Sequence, residues 1–272
     1  MTPVIDLHTH NERCGHATGT LREMIQAAIQ MGISTIAVTD HAPLFAHPEE
    51  HPDPGIQMAK GEFPRYLAEA VSLKEEYRDQ ISVLVGVEAD YIAGTEEIYR
   101  EALDRAELDY VIGSVHAFGP YHVYRPASWT TPAAVSLGTE HLYEQYFTAV
   151  QGAARSGLFD CIAHMDAIKA MGPVPPGAVE DLIAETIRVI AVSGVAVEIN
   201  TSGFRKCGEA FPALSIVKRL HQAGVPLTYG SDSHHPREVG YGWREVQRTL
   251  SAVGVRTLHV FEQRRRRGIA IP

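Results

Sequence analysis

Short apolar runs and longer amphipathic segments alternate along the whole chain. Seven apolar runs each lead into polar residues, and they occupy residues 4–7, 33–38, 81–87, 110–115, 161–163, 195–199 and 226–229. Such short runs predict buried strands. The polar residues that end or follow them are His8 and His10, His41, Glu88, His116, His164, Asn200, and Asp232 with His234. Because imidazoles and carboxylates are costly to bury without a positive partner, this recurrence predicts one shared cation site.

The segments between the apolar runs have helical periodicity. Thr20 and Glu23 form a capping-box pattern, and Gly32 is expected to end the helix that follows. Similar helical segments are predicted at about residues 62–77, 96–106, 140–154, 178–192, 212–222 and 243–252. Strands that alternate with helices predict βαβ units and a parallel sheet.

The predicted fold class is α/β, a TIM-like distorted (β/α)7 barrel with a metal site at the C-terminal ends of its strands. A doubly wound open sheet is the alternative, but it would place ligands only near a switch point. Nearly every strand end carries a candidate ligand here, which favours the barrel. Barrel closure would also bring His8-Thr9-His10 beside Asp232-Ser233-His234. Alternate side chains of a strand point the same way, so each pair could grip one ion.

Composition narrows the class of protein. A chain of 272 residues with 45% hydrophobic residues is expected to form one domain over residues 1–272. The net charge of −9 argues against a nucleic-acid or anionic-membrane surface. The basic run at residues 264–267 is predicted to be a solvated terminal segment. Three distant cysteines, the lack of a signal sequence and the lack of a long apolar run predict a cytoplasmic protein without a disulfide framework or membrane span.

The metal-seeking motifs together resemble a known family. They are His8-Thr9-His10, Gly15-His16, Thr39-Asp40-His41, Gly86-Val87-Glu88, Gly113-Ser114-Val115-His116, Ala163-His164 and Gly230-Ser231-Asp232-Ser233-His234. Across essentially the whole chain they resemble the PHP family of phosphoesterases, named for polymerase and histidinol phosphatase. The chain is most similar to its histidinol-phosphatases, through residues 88–91, 109–116, 198–206 and 239–242. Residues 119–137 match that pattern less well, and their role stays open.

The resemblance implies a centre of three divalent metal ions. His8, His10, Glu88 and Asp232 would hold the first ion, and Glu88 would bridge to a second ion held by His116 and His164. His16, His41 and His234 would hold the third. Imidazole and carboxylate ligands suit Zn, Fe and Mn alike, so the metal identity stays open. The implied nucleophile is a hydroxide that bridges two metals, and the catalytic residues would be Glu88, Asp232 and His234.

Other residues are candidates for contacts with a phosphate-ester substrate. Arg205 is the first candidate for the phosphate, because an arginine fork matches phosphate oxygens, and Lys169 and Arg237 follow. An ammonium group on the substrate would need an acidic partner, for which Glu12 and Glu209 are candidates.

The remaining polar residues have two interpretations. Asp6 and Asp40 precede ligand histidines, so each either orients an imidazole or makes a structural hydrogen bond. A thiol that is not a ligand is expected at Cys14. Among the histidines outside the strand-end pattern, His122 alone is a candidate for substrate contact; surface or hydrogen-bonded positions are expected for His47, His51, His141, His221 and His259.

The function implied by the resemblance is hydrolysis of L-histidinol phosphate to L-histidinol and phosphate, in histidine biosynthesis. A PHP phosphoesterase that acts on another small phosphate ester or nucleotide is the alternative. A non-catalytic PHP module that assists a polymerase is a third hypothesis, but such modules have often lost ligands and all nine are present here. An amidohydrolase barrel would also open with a His-x-His motif, yet Glu88, His16 and Asp232-Ser233-His234 favour the phosphoesterase. The oligomeric state and the group that protonates the leaving alkoxide stay open.

Overall fold

Seven parallel strands form the centre of the protein. The computed structural model describes residues 5–171 and 178–271, so Val4 of the first predicted strand lies outside the described residues. The strands of the central sheet are β1 (Ile5–Asp6), β2 (Thr35–Val38), β3 (Ser82–Asp90), β4 (Tyr110–Ser114), β7 (Cys161–Ile162), β8 (Ala196–Asn200) and β9 (Leu227–Gly230). They are hydrogen-bonded in this sequential order. All seven predicted strands are therefore confirmed.

The sheet closes into a barrel because β9 returns to β1. The Leu7 N–H donates to the Tyr229 carbonyl (2.9 Å), and the His10 N–H donates to the Ser233 carbonyl (2.9 Å). Thr9 and Ser233 form an isolated parallel bridge just beyond the strand ends. The two alternating motifs at opposite ends of the sequence are thus neighbours, and the prediction of a distorted (β/α)7 barrel is confirmed.

Helices cover the outside of this barrel. They are α1 (Leu21–Gln30), α2 (Phe63–Tyr77), α3 (Glu96–Asp104), α5 (Thr139–Arg155), α6 (Ala178–Ser193), α8 (Leu214–Gln222) and α9 (Trp243–Val253), with two short helices, α4 (Pro132–Leu137) and α7 (Gly203–Lys206). The predicted capping box is present at the start of α1, where Thr20 and Glu23 exchange hydrogen bonds. Within the described residues, no helix is both long and apolar enough to cross a membrane.

A wall of the barrel mouth is built from residues that follow β4. The short antiparallel strands β5 (Ala117–Phe118) and β6 (Tyr121–His122) pair with each other, and α4 comes shortly afterwards. The Val123 N–H donates to the His116 carbonyl (2.7 Å), and the Trp129 indole N–H donates to the His122 carbonyl (2.9 Å). These bonds fix the segment beside the end of β4, so part of residues 119–137 lies at the mouth of the barrel.

The chain continues into a C-terminal hairpin of β10 (Thr257–Glu262) and β11 (Arg265–Ala270). Phe261 stacks on Tyr110 at the start of β4, with ring centroids 4.7 Å apart. The prediction of a solvated terminal segment is wrong for Arg264, whose guanidinium pairs with Asp160 (2.5 Å) and donates to the Leu158 carbonyl (2.6 Å). The other arginines of the run are exposed on β11. The hairpin therefore packs on the end of the barrel opposite the strand C-termini.

Candidate metal centre

The nine predicted ligands converge at the C-terminal ends of the strands. His8 and His10 follow β1, His41 follows β2, and Glu88 lies in β3. His116 follows β4, His164 follows β7, and His16 lies in the loop before α1, while Asp232 and His234 follow β9. Of the nine, all but His16 and His234 are buried. The parallel sheet brings these residues together because every strand points its C-terminus to the same face.

Glu88 is the centre of the group. Its side chain is 1% exposed, and its two oxygens lie within 3.6 Å of imidazole nitrogens of His8, His10, His41, His116 and His164. Oε2 nevertheless makes no hydrogen bond of acceptable geometry, although His41 Nδ1 lies only 3.0 Å away. A buried anion with close nitrogens that do not point an N–H at it has the geometry of a carboxylate that shares a cation with its neighbours.

Imidazole nitrogens also face one another. His8 Nε2 and His10 Nε2 are 3.0 Å apart, and His16 Nε2 and His234 Nε2 are 2.9 Å apart. Asp232 Oδ1 lies 3.2 Å from the same nitrogen of His10. Neutral imidazoles carry a lone pair on one nitrogen, so opposed pairs of this kind are suited to a positive ion between them.

Among the described residues, four overlapping groups could hold a metal ion, since the donor atoms of each lie within 4.8 Å of one another. Three draw only on predicted ligands: His8, His10 and Glu88; His10, His41 and His234; and His41, Glu88 and His116. The fourth contains His10, Cys14 and Asp40. The Cys14 thiol donates to the Asn11 carbonyl (3.2 Å), and burial raises its pKa, which disfavours the thiolate that a metal needs.

The electrostatics of the centre favour positive charge. Burial alone would lower the pKa of His116, but the carboxylates of Asp90 and Glu88 raise it to about 9. Burial likewise opposes ionisation of Asp232, yet Lys206 and His8 hold its pKa well below the usual range. Desolvation keeps the pKa of His41 well below its usual value, so this imidazole stays neutral. A neutral imidazole beside anionic carboxylates is the donor set that divalent transition metals prefer.

Three imidazoles are oriented by carboxylates behind them. His8 Nδ1 lies 2.8 Å from Glu198, and His116 Nδ1 lies 2.8 Å from Asp90. Asp40 was expected either to orient an imidazole or to make a structural hydrogen bond. It lies 3.3 Å from Nδ1 of His10, a predicted ligand, which favours the orienting role.

Asp6 makes structural hydrogen bonds instead. It accepts hydrogen bonds from the Ser231 N–H (2.8 Å), the Ser231 hydroxyl (2.6 Å) and the Gly240 N–H (2.8 Å). Burial raises its pKa to about 6, although these bonds oppose the shift. Asp6 thus ties β1 to the loop that carries Asp232 and His234.

Glu198 and Asp90 were not among the residues singled out from the sequence. Both lie inside motifs that resemble histidinol-phosphatases, residues 88–91 and 198–206, and this was the only signal available. Two predicted ligands also have unusual backbones, because His164 (φ 25°) and Asp232 (φ 52°) adopt left-handed conformations. Non-glycine residues in this region are strained, and such strain concentrates at functional sites.

A pocket of about 390 Å³ opens above the centre. Its wall includes six of the nine predicted ligands, four imidazoles and the two carboxylates, together with three cationic residues, Arg125, Arg205 and Lys206. Arg205 was the first candidate for phosphate. Its guanidinium pairs with Glu238 (3.3 Å) and lies over the Tyr241 ring at 4.7 Å.

The other two cations of the pocket were missed. Lys206 is adjacent to Arg205 in sequence, and its Nζ lies 3.3 Å from Asp232 Oδ2 and 4.3 Å from the centroid of the Tyr124 ring. Arg125 pairs with Asp53. It belongs to residues 119–137, where the family pattern was weakest, and His122 of the same segment also lines the pocket.

The structure places the remaining substrate candidates away from the pocket. Lys169 is 8% exposed, and its amine contacts Asp166 (2.9 Å), Glu209 (3.0 Å) and the Ala210 carbonyl (2.8 Å). Lys169 and Glu209 thus pair with each other outside the pocket lining, and their roles in substrate binding stay predictions. Arg237 is exposed on a 3-10 turn at Pro236–Glu238, and Glu12 is exposed before α1. Among the described residues, Glu238 is the acidic residue on the pocket wall that is not a predicted ligand, beside the predicted ligands Glu88 and Asp232.

Comparisons with known proteins agree with this architecture. A family model described as the PHP domain matches residues 6–202. A protein of Deinococcus radiodurans named "Probable histidinol-phosphatase" is 39% identical over 259 residues, which are 95% of this chain and 96% of that protein. The histidinol-phosphatase of Bacillus subtilis is 30% identical over 260 residues, 88% of this chain and 96% of its own length.

A solved structure shares the fold. It is the histidinol phosphate phosphatase of Lactococcus lactis, described as complexed with ZN, L-histidinol and phosphate. The TM-score is 0.82 at 22% identity, and the match covers 97% of this chain and 98% of that one. With a family model over well more than half of its length and relatives of 30–39% identity over most of it, the chain belongs to the PHP domain family.

Proposed function

We propose that this protein is a metal-dependent phosphatase that hydrolyses L-histidinol phosphate to L-histidinol and phosphate, a reaction of histidine biosynthesis. The observation that carries the proposal is the convergence of nine nitrogen- and oxygen-bearing ligands, with Glu88 at their centre, beneath a pocket that contains three cationic side chains. Relatives of 39% and 30% identity over most of the chain are named for this activity, which supports the same substrate. We also propose one domain over residues 1–272 and a cytoplasmic location, the latter supported by three free cysteines.

The donor set fits divalent cations. The buried Oε2 of Glu88 without a well-aligned donor and the opposed imidazole nitrogens are the features that a cation would satisfy. We propose three ions: one held by His8, His10, Glu88 and Asp232, a second by Glu88, His116 and His164, and a third by His16, His41 and His234. Zn, Fe and Mn all suit these ligands, and Zn is present with the Lactococcus lactis relative. Bound divalent ions would lower the pKa of a coordinated water and neutralise phosphate oxygens.

The residues of the chain complete this chemistry. Lys206 and His8 hold the pKa of Asp232 well below its usual range, so Asp232 stays an anionic ligand and is poorly suited to donate a proton to the leaving alkoxide. Its Oδ2 is fixed by the Ser202 hydroxyl (2.8 Å) and the Asn200 amide (3.3 Å), which leaves Oδ1 toward the metal ligands. The His234 side chain is 24% exposed and lines the pocket, and its Nε2 lies 2.9 Å from His16 Nε2.

The pocket selects a small phosphomonoester. Arg205, Lys206 and Arg125 supply positive charge for the phosphate oxygens that the metals do not contact. A volume of about 390 Å³ is near the lower end of the range for small-molecule sites, which suits histidinol phosphate better than an oligonucleotide. Glu238, an acidic residue of the pocket wall that is not a proposed metal ligand, is available for a positively charged part of the substrate.

The test is a substrate panel run on purified protein of measured metal content. Phosphate release is compared for L-histidinol phosphate, a sugar phosphate and a nucleoside monophosphate, before and after metal removal. We expect histidinol phosphate to be hydrolysed with the highest kcat/KM and only by metal-loaded protein. A higher kcat/KM for one of the other esters would instead support a different PHP phosphoesterase, and turnover by rigorously metal-free protein would overturn the proposed centre.

A further inference from the structure

Glu198 is a carboxylate sealed inside the barrel beneath the candidate metal centre. Its side chain is fully buried, and it lies in β8 on the same face as Asn200. Its oxygens accept hydrogen bonds from His8 Nδ1 (2.8 Å), the His164 N–H (3.2 Å) and the Asn200 amide (3.0 Å). A buried carboxylate persists only where such partners compensate its lost hydration. Two of these partners are proposed ligands, and they serve different ions.

The contact with His8 fixes which ring nitrogen is free. Because an ionised carboxylate can only accept, His8 must donate through Nδ1, and the lone pair of a neutral ring then lies on Nε2. That nitrogen lies 3.3 Å from Glu88 Oε2 and 3.8 Å from Asp232 Oδ1. Glu198 therefore sets both the tautomer and the direction of a ligand of the first ion.

The contact with His164 acts on the backbone. His164 has a φ of 25°, a conformation that L-residues adopt rarely. Its N–H donates to Glu198 Oε2, while its carbonyl accepts from the Ala167 N–H (2.8 Å). These bonds hold the strained residue so that His164 Nε2 lies 3.1 Å from Glu88 Oε1. The same carboxylate thus positions a ligand of the second ion.

Gly230 makes room for this arrangement. It lies opposite Asn200 in the pairing of β8 with β9. A Cβ at this position would lie 2.3 Å from Glu198 Oε1 and 2.5 Å from the Cβ of His8. The close approach of His8 to Glu198 therefore depends on a glycine in the last strand.

We propose that Glu198 is a positioning residue that couples the first and second metal sites through His8 and His164. This inference rests on the proposed function, since it assumes the three-ion centre. Among the described residues, Glu198 makes no hydrogen bond to His16, His41 or His234. Loss of Glu198 should therefore weaken two ions and spare the third.

The primary variant is Glu198→Gln. Its amide oxygen can still accept from His8, but its NH2 group then faces the His164 N–H, so donor meets donor. Glu198→Asp keeps the charge and withdraws the carboxylate from both partners. Asp109→Asn is the matched control, because Asp109 is also buried and accepts backbone N–H bonds from Val85 (3.0 Å) and Gln263 (3.2 Å) at the other end of the barrel.

The measurement is a titration of metal-free protein with Zn²⁺ against a chromophoric chelator, with thermal unfolding of the same metal-free samples. We expect both Glu198 variants to bind two of three ions about 10–100-fold more weakly and the third as wild type does. Asp109→Asn should lower metal-free stability and leave all three affinities unchanged. If the glutamine variant does not fold, the aspartate variant provides the same readout.

Three results would overturn this inference, and a fourth separates it from the proposed function. Wild-type affinities for every ion in a folded Glu198 variant would overturn it, and so would an equal loss at all three sites. If Asp109→Asn lost as much metal affinity as Glu198→Gln, the role of Glu198 would be structural only, and the inference would also be overturned. Wild type that binds three ions but releases no phosphate from histidinol phosphate would refute the proposed substrate and leave the positioning of His8 and His164 standing.

Discussion

Replacement of Lys206 by methionine tests whether a lysine that lines the pocket contributes to phosphate binding. Lys206 Nζ lies 3.3 Å from Asp232 Oδ2 and lines the pocket, with a third of its side chain exposed. Methionine keeps most of the length of the stem and removes the charge. The substitution therefore takes one charged hydrogen-bond donor from the proposed phosphate site with little change in packing.

The expected loss follows from the type of contact removed. A hydrogen bond to a charged group contributes about 1.5–3 kcal/mol. At about 1.4 kcal/mol for each factor of ten, Lys206→Met should lower kcat/KM for L-histidinol phosphate by roughly 10–150-fold. Because Lys206 is partly exposed and Asp232 keeps hydrogen bonds from Ser202 and Asn200, the free energy of unfolding should fall by less than the roughly 3–5 kcal/mol that breaking a buried ion pair costs.

Lys169→Met is the matched control, with the opposite outcome. The Lys169 side chain is 8% exposed and paired with Asp166, so its removal leaves that buried carboxylate without its cation and, among the described residues, with only the Ala213 N–H as a donor. Breaking a buried ion pair in this way costs about 3–5 kcal/mol. The variant should unfold at a clearly lower temperature, while kcat/KM of the folded enzyme stays near that of wild type.

The assay is steady-state phosphate release beside thermal unfolding followed by circular dichroism. Wild-type kcat/KM in Lys206→Met would refute the assignment of Lys206 to the phosphate. A large loss of kcat/KM in folded Lys169→Met, without loss of stability, would show that the predicted role of Lys169 in phosphate binding was correct.

Three further outcomes are expected. Dialysis against a chelator should abolish hydrolysis and lower the unfolding temperature, because ions that bind only the folded state stabilise it. Addition of Zn²⁺ or Mn²⁺ should restore both the activity and the unfolding temperature. Activity that persists without detectable metal would contradict the proposed metal centre. Gly230→Ala should cost about 1–3 kcal/mol in denaturant unfolding because its Cβ would lie 2.3 Å from Glu198, and an unchanged midpoint would argue against that crowding. Asp90→Asn removes the carboxylate behind His116 and should lower metal affinity or activity about 10–100-fold. A competition titration measures the metal affinity, and a rate assay measures the activity. Wild-type values in both would exclude an orienting role for Asp90.

Local patterns in the sequence predicted the fold and the candidate ligands at the strand ends, and the resemblance to the PHP family implied the full set of nine. Each strand of the barrel is a short apolar run, and a polar residue at its C-terminal end marks the face where the side chains gather. The capping box of Thr20 and Glu23 and the glycine at residue 32 likewise act over a few residues. These features are local, so hydrophobic periodicity and chain chemistry express them directly.

The sequence could not identify the partners of buried charges. Lys169 and Lys206 are similar as sequence features, yet one is locked to Asp166 and the other faces the pocket. Glu198 lies 190 residues from His8, and Arg264 lies 104 residues from Asp160. Which of these groups meet is decided by closure of β9 against β1 and by the packing of the C-terminal hairpin.

The chain by itself thus determined the order of the strands and which side chains stand at their ends, because backbone and side-chain periodicity act over a few residues. Only the tertiary structure decided that Glu198 lies behind two ligands, that Lys206 faces the pocket and that Lys169 does not. The physical reason is that the energy of a buried charge depends on neighbours from distant segments, and those neighbours exist only after the barrel has closed.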